Sequence, residues 1–141
     1  MGVFVKIRKL KKQDFKKGFN RCLEMLGDFK LKNKFKTFRK REERKIKTFV
    51  IELNKKIIAT ASIIIEPKFR HLSKSCGHIE DVCVIKKRQK MGFGKKIIQH
   101  LISYAKKHGC YKLVLSTKKK NLGFYQSLGF CNNELSCYLY V

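Results

Sequence analysis

The chain has 141 residues, which suffices for one domain with a hydrophobic core and falls short of two ordinary domains. Hydrophobic residues make up 43% of the sequence, so we expect a folded protein even though 32% of the residues are charged. No apolar run approaches membrane-spanning length, and the first residues lack the hydrophobic core of a signal peptide. These features argue against a membrane protein and predict a cytoplasmic one.

The net charge of +25 favours polyanionic partners such as nucleic acid or phosphorylated ligands. The lysines, however, are spread along the whole chain, whereas nucleic-acid-binding proteins concentrate Arg and aromatic residues on one face. We therefore do not expect a nucleic-acid partner. The six cysteines form no C-x-x-C pair and several lie in apolar runs, so we expect neither a metal site nor a disulfide framework.

The N-terminal half of the sequence predicts a strand, a helix, a basic segment and a hairpin. Asp14 is placed to cap the helix and Gly27 to end it. The basic segment is interpreted as a helix or loop with a solvated face, and a basic lid near an anionic ligand is the alternative. Asn54-Lys55 between two alternating runs indicates a hairpin. The predicted elements are a strand over 4–10, a helix over 14–26, the basic segment 29–45, and strands over 46–53 and 56–66.

The C-terminal half alternates strands with helices. Apolar residues at three- and four-residue spacing predict a long helix that ends at Gly109. The order of elements therefore predicts one α/β (α+β) domain over 1–141, with a mixed, mostly antiparallel sheet flanked by about four helices. The predicted elements are a strand over 77–85, the helix to about 108, a strand over 110–116, a short helix from 121, and a final strand region over 130–140.

The turn between the strand over 77–85 and the long helix, Gln89-Lys90-Met91-Gly92-Phe93-Gly94-Lys95, is the most informative motif. A helix N-terminus presents free N–H groups and a positive dipole end, and glycine permits positive φ and close approach, which together suit a phosphate group. The triphosphate and dinucleotide loops do not fit, since the Gly-Lys-Ser/Thr ending and the third glycine are missing. Alone, the motif favours the simpler interpretation, a helix start that needs two glycines for packing.

Two carboxylates, Glu80 and Asp81, are adjacent within an apolar strand. Neighbouring residues of a strand point to opposite faces, and an unpaired buried carboxylate is costly. We therefore expect one of the two to face a cleft or a subunit contact, with an edge strand as the simpler alternative.

These motifs together resemble the GNAT superfamily of N-acetyltransferases. The turn with Gly92 and Gly94 is similar to that superfamily's acetyl-CoA pyrophosphate loop, and Asn121 followed by Phe124-Tyr125 is similar to its late signature. Over about residues 46–130 the chain resembles the glucosamine 6-phosphate N-acetyltransferase family, most specifically in Gly77-His78-Ile79-Glu80-Asp81-Val82, Gly109-Cys110-Tyr111-Lys112 and the segment 63–71.

The resemblance implies transfer of the acetyl group of acetyl-CoA to the 2-amino group of glucosamine 6-phosphate, by direct attack in a ternary complex. This reaction feeds UDP-N-acetylglucosamine synthesis, and the resemblance also implies a homodimer whose active sites borrow partner residues. Tyr125 is implied to protonate the coenzyme A thiolate. Ser116 stands where the family usually has an acidic residue, so the base is either a water relayed to Glu80 or a backbone carbonyl.

The same resemblance bears on the identity of the acceptor and on the remaining site residues. Gly27 and Tyr140 stand where the family often has a substrate-contacting threonine and a phosphate-binding arginine. Acetylation of another amine, such as a peptide N-terminus, and a non-catalytic basic nucleic-acid-binding module are the alternative functions. The implied cofactor-binding residues are Val82, Cys83, Val84, Gln89, Lys90, Met91, Gly92, Phe93, Gly94, Lys95, Asn121 and Tyr125, and the implied substrate-binding residues are Lys68, Phe69, Arg70, His71, Glu80 and Asp81.

Overall fold

The computed structural model describes residues 4–27 and 31–141, and these form one five-stranded sheet with four α-helices. All neighbouring strands are antiparallel except the last pair, which is parallel, so the predicted mixed and mostly antiparallel sheet is confirmed. The strands, in spatial order, are β1 (Val5–Lys9), β2 (Lys47–Leu53), β3 (Lys56–Pro67), β4 (Ser75–Val84) and β5 (Cys110–Val114), and the helices are α1 (Phe19–Leu26), α2 (Lys34–Glu43), α3 (Phe93–Lys107) and α4 (Leu122–Gln126).

Helices cover both faces of the sheet. Along β2, Phe49 and Ile51 belong to the apolar cluster that contains α3, whereas Val50 between them belongs to the cluster that contains α1. This follows from the alternation of side chains along a strand. Because the central strands are buried on both sides, they read as nearly continuous apolar runs. Within the described ranges no helix has the length and apolar character needed to cross a membrane.

The hairpin between β2 and β3 is confirmed. Asn54 and Lys55 both have positive φ, 48° and 64°, as a two-residue turn between right-twisted strands requires. The basic segment forms α2, none of whose residues is buried, as expected for a solvated helix. Positions 29 and 30 of that segment lie outside the described residues.

The single helix expected from Asp14 to Leu26 is wrong. Gly18 has φ +100° and separates a 3₁₀ turn, Lys12–Lys17, from α1. Asp14 therefore lies inside the 3₁₀ turn and does not cap α1. Its buried carboxylate accepts bonds from Arg8 Nη1 (2.7 Å), Arg8 Nη2 (2.8 Å) and the backbone N–H of Lys11 (2.8 Å), so its charge is neutralised within the fold.

The final strand expected over 130–140 is also wrong. Residues 127–141 contain no helix or strand, and they do not pair with the outer edge of β5, which has no other neighbouring strand among the described residues. The side-chain hydrogen bonds of this segment to earlier elements run from Lys112 Nζ to both carboxylate oxygens of Glu134, from Gln126 Nε2 to Asn132 Oδ1, and from Ser127 Oγ to the carbonyl of Phe124. Its large apolar residues, Leu135, Tyr138, Leu139 and Tyr140, are therefore exposed.

Candidate active site

The neighbouring strands β4 and β5 separate part-way along their length. Their pairing runs from Ser75 opposite Cys110 to His78 opposite Val114, whereas β4 continues to Val84. The backbone of residues 79–84 consequently has no neighbouring strand on that side within the described part of the chain. An unpaired strand edge offers N–H and C=O groups to an extended ligand. The predicted pantetheine-binding residues, 82–84, lie on this open edge.

A β-bulge lies in the same stretch of β4. The register with β3 shifts between Thr60, opposite Cys83, and Ser62, opposite Glu80, and Asp81 in the bulge has φ +53°. The bulge interrupts the expected alternation, and both Glu80 and Asp81 are exposed. Asp81 nevertheless lines a cavity, as expected for one member of the pair.

The glycine turn has the geometry of an anion site at the N-terminus of α3. Gly92 immediately precedes the helix with φ +82°, and the first helical hydrogen bond runs from the N–H of Lys96 to the carbonyl of Gly92 (3.0 Å). The N–H groups of residues 93–95 therefore precede the first helical bond and have no protein acceptor among the described residues. Together with the helix dipole and the exposed Lys90 and Lys95, they suit a pyrophosphate.

The turn is fixed to its surroundings by two close contacts. Gln89 Nε2 donates to the carbonyl of Val84 (2.9 Å), which ties the turn to the end of the open edge. A Cβ on Gly94 would lie 3.3 Å from the ring of Phe124, so this glycine lets α4 pack closely against the start of α3. Gly92 thus allows the backbone conformation of the turn, and Gly94 allows the close packing of α4 on α3.

The short helix α4 carries the residues of the late signature. Tyr125 is buried in the cluster that contains α3, and burial raises the pKa of its phenol. A raised pKa keeps the hydroxyl protonated at neutral pH, as a proton donor requires. Asn121 immediately precedes α4 and makes no capping hydrogen bond with its side chain.

The loop between β3 and β4 carries four of the predicted substrate-binding residues, Lys68, Phe69, Arg70 and His71. Lys68 Nζ is paired with Glu66 (2.7 Å), the His71 ring stacks on Tyr111 with centroids 4.3 Å apart, and Phe69 is fully exposed. None of the residues 68–71 lines the cavity at Asp81. Within one chain, these two parts of the predicted substrate site are therefore separate.

A cavity of about 460 Å³ lies between the N-terminal helices and the sheet. One wall is apolar and comes mainly from phenylalanines and leucines before residue 39, while the opposite end is polar and contains Arg41, Ser62 and Asp81. Sequence reasoning missed Arg41, because the basic segment was interpreted as solvated. The three-residue spacing of Phe35, Phe38 and Arg41 could have indicated that Arg41 lies on the same face of the helix as the two phenylalanines.

Comparison with known proteins identifies the family of this site. Residues 5–130 match the acetyltransferase (GNAT) family. The chain belongs to the GNAT family. It is 34% identical over 140 residues to the glucosamine 6-phosphate N-acetyltransferase of Arabidopsis thaliana, a match that covers 92% of each chain. The crystal structure of an Arabidopsis thaliana enzyme of the same name superimposes with a TM-score of 0.89 over 97% of this chain and 98% of that one.

A second relative has a higher sequence identity over a shorter stretch. The glucosamine 6-phosphate N-acetyltransferase of Trypanosoma brucei brucei is 39% identical over 88 residues, which cover 62% of this chain and 60% of the relative. The chain is thus a GNAT acetyltransferase, and enzymes of this family use acetyl-CoA. The free amides and exposed lysines at the start of α3 fit the anionic part of that cosubstrate.

We predict that Gly92→Ala weakens coenzyme A binding, because alanine disfavours the positive φ that shapes the turn before α3. The expected rise in Kd is about fivefold or more, given a strain of about 1–2 kcal/mol. Isothermal titration calorimetry with coenzyme A measures it.

Gly109→Ala is the matched control. Gly109 has φ +72° and, like Gly92, open space where a Cβ would lie, but it follows the other end of α3. The control should lose comparable stability and keep its Kd. Equal Kd values for both variants and the parent would contradict the assignment of the turn.

Proposed function

We propose that this GNAT enzyme transfers the acetyl group of acetyl-CoA to the 2-amino group of glucosamine 6-phosphate, by direct attack in a ternary complex. The observation that carries the proposal is the bulge of β4, at which the open edge for the cosubstrate and the cavity for the acceptor meet. The full-length similarity to the Arabidopsis thaliana enzyme supports the identity of the acceptor.

In this proposal the chain binds the cosubstrate through two sets of backbone amides. The N–H groups of residues 93–95, with Lys90 and Lys95, hold the pyrophosphate, and residues 82–84 hold the pantetheine arm and support the oxyanion. Acetyl-CoA supplies a thioester carbonyl. Holding that carbonyl beside the cavity provides the proximity and orientation on which a direct attack depends.

The acceptor is proposed to lie with its amine at Glu80 and Asp81. The neutral amine attacks the thioester carbonyl, the tetrahedral oxyanion collapses, and Tyr125 protonates the departing thiolate. The amine proton leaves through a water relayed to Glu80 or through a backbone carbonyl. Ser116, exposed beyond the end of β5, offers no carboxylate for that step.

In a homodimer, the cationic side chains of Lys68 and Arg70 could reach the site of the neighbouring subunit. Residues 68–71 do not line the cavity of their own chain, so in this proposal they reach the sugar phosphate in a partner. The exposed side chains of Phe69 and Leu72 and of the C-terminal segment 131–141 support such an association. We place this single-domain enzyme, residues 1–141, in the cytoplasm, where its product feeds UDP-N-acetylglucosamine synthesis.

Release of free thiol from acetyl-CoA tests the acceptor. Purified protein should release thiol rapidly with glucosamine 6-phosphate and much more slowly with glucosamine, because the charged phosphate adds hydrogen bonds that the unphosphorylated sugar lacks. Acetyl-CoA binding without stimulation by glucosamine 6-phosphate would overturn the acceptor and leave the family assignment in place.

We predict that Tyr125→Phe lowers kcat by about 10²–10⁴-fold and leaves the Kd of coenzyme A unchanged, since only the proton donor is lost. In the parent enzyme kcat should fall as the pH rises through the raised pKa of Tyr125, because the acid form is consumed. The kcat of the variant should not show this decrease at alkaline pH.

Tyr104→Phe is the control, because Tyr104 lies in α3, where it stacks on His108, and burial also raises its pKa. It should retain the parent kcat and pH profile. A Tyr125 variant with the parent kcat would contradict the proposed role.

A further inference from the structure

Arg41 is anchored at the polar end of the cavity. Its Nη2 lies 2.7 Å from Ser62 Oγ, 3.3 Å from Thr48 Oγ1 and 3.0 Å from Asp81 Oδ2. Ser62 is fully buried and its hydroxyl also pairs with Thr48 (2.9 Å). Because three oxygens surround a single nitrogen, the guanidinium is held in one place against the bulge of β4.

Most of the donors of Arg41 are not used by these contacts. A guanidinium carries five N–H donors, and the bonds above involve only those on Nη2. Among the described residues, Nε and Nη1 have no protein acceptor. They are also absent from the buried atoms that lack a partner, so they reach solvent at the cavity wall. Nε and Nη1 therefore remain free to bind a ligand.

The charges around the cavity favour an anionic occupant. Among the described residues, its lining contains two cations, Lys34 and Arg41, and one carboxylate, Asp81. Lys34 Nζ lies 5.1 Å from the ring centroid of Phe35 and 5.7 Å from that of Phe15, and neither of these contacts involves a carboxylate. Asp81 can attract an ammonium group while the two cations attract an anionic group of the same molecule.

We propose that Arg41 is a specificity-determining residue that binds the anionic group of the acceptor, and so selects a phosphorylated amine over a neutral or polycationic one. The proposal rests on the proposed function, to which it adds a cation from the same chain as Asp81. Anchoring keeps the free edge of the guanidinium in place before the acceptor arrives, which lowers the entropic cost of binding. A phosphate has several oxygens, so this contact is compatible with further cations from a partner's loop.

The test compares Arg41→Met and Arg41→Lys with the parent enzyme, using acetyl-CoA with glucosamine 6-phosphate or with glucosamine. Arg41→Met should raise the KM for glucosamine 6-phosphate by about tenfold to a hundredfold, the range for a lost charged hydrogen bond. The value of kcat/KM for glucosamine should fall by a smaller factor, because that sugar has no phosphate contact to lose, so discrimination between the two sugars should fall. The Kd of coenzyme A should not change.

Arg41→Lys keeps the charge but loses the planar fork, so it should reduce the discrimination by a smaller factor, about threefold to tenfold. It also keeps the test decisive if the Met variant fails to fold. Arg39→Met is the matched control, because Arg39 is an exposed arginine of the same helix whose contact is Glu43 at 3.9 Å. The control should retain the parent discrimination.

If Arg41→Met or Arg41→Lys lowers kcat/KM by the same factor for both sugars, the proposal is overturned, and Arg41 only links α2 to the sheet. Unchanged discrimination in both would also overturn it, while the proposed function would stand. Failure of the parent enzyme to acetylate glucosamine 6-phosphate would overturn the proposed function and this proposal together, and that result is visible before any variant is made.

Discussion

The candidate site depends on the separation of β4 from β5 after His78 and Val114. Up to that point the two strands satisfy each other's backbone groups, and beyond it the edge of β4 is open. The bulge at Asp81 lies in the open part, and the turn that begins α3 follows directly after it. One interruption of a sheet therefore places an extended binding edge, a carboxylate and a helix N-terminus along a single stretch of chain.

The scarcity of acidic residues makes their positions informative. The chain has 10 Asp and Glu residues against 35 Lys and Arg residues. Asp14 and Glu52 both bind Arg8 and stabilise the N-terminal turn against the sheet. Asp81 binds Arg41 at the cavity instead, where the ion pair is partly exposed and the remaining guanidinium donors are unpaired. The first arrangement closes a structural network, whereas the second leaves groups available to a ligand.

Local patterns in the sequence predicted the strands, the hairpin and α3, because burial imposes a period of two or 3.6 residues. They could not predict the break at Gly18 or the contact of Arg41 with Asp81, since both depend on how distant segments pack. The prediction of a C-terminal strand was wrong for a related reason: alternation shows that a segment could pair, and it does not show whether the segment lies along a strand edge. The glycine turn before α3 was predictable because its positive φ and its free amides belong to residues that are adjacent in the sequence.

The most direct test of the account is a titration of ¹⁵N-labelled protein with coenzyme A, followed by backbone amide chemical shifts. If the open edge and the helix N-terminus form the cosubstrate site, the largest shift changes should occur at residues 82–84 and 93–95. Changes confined to the residues that line the cavity, with those two stretches unaffected, would contradict it.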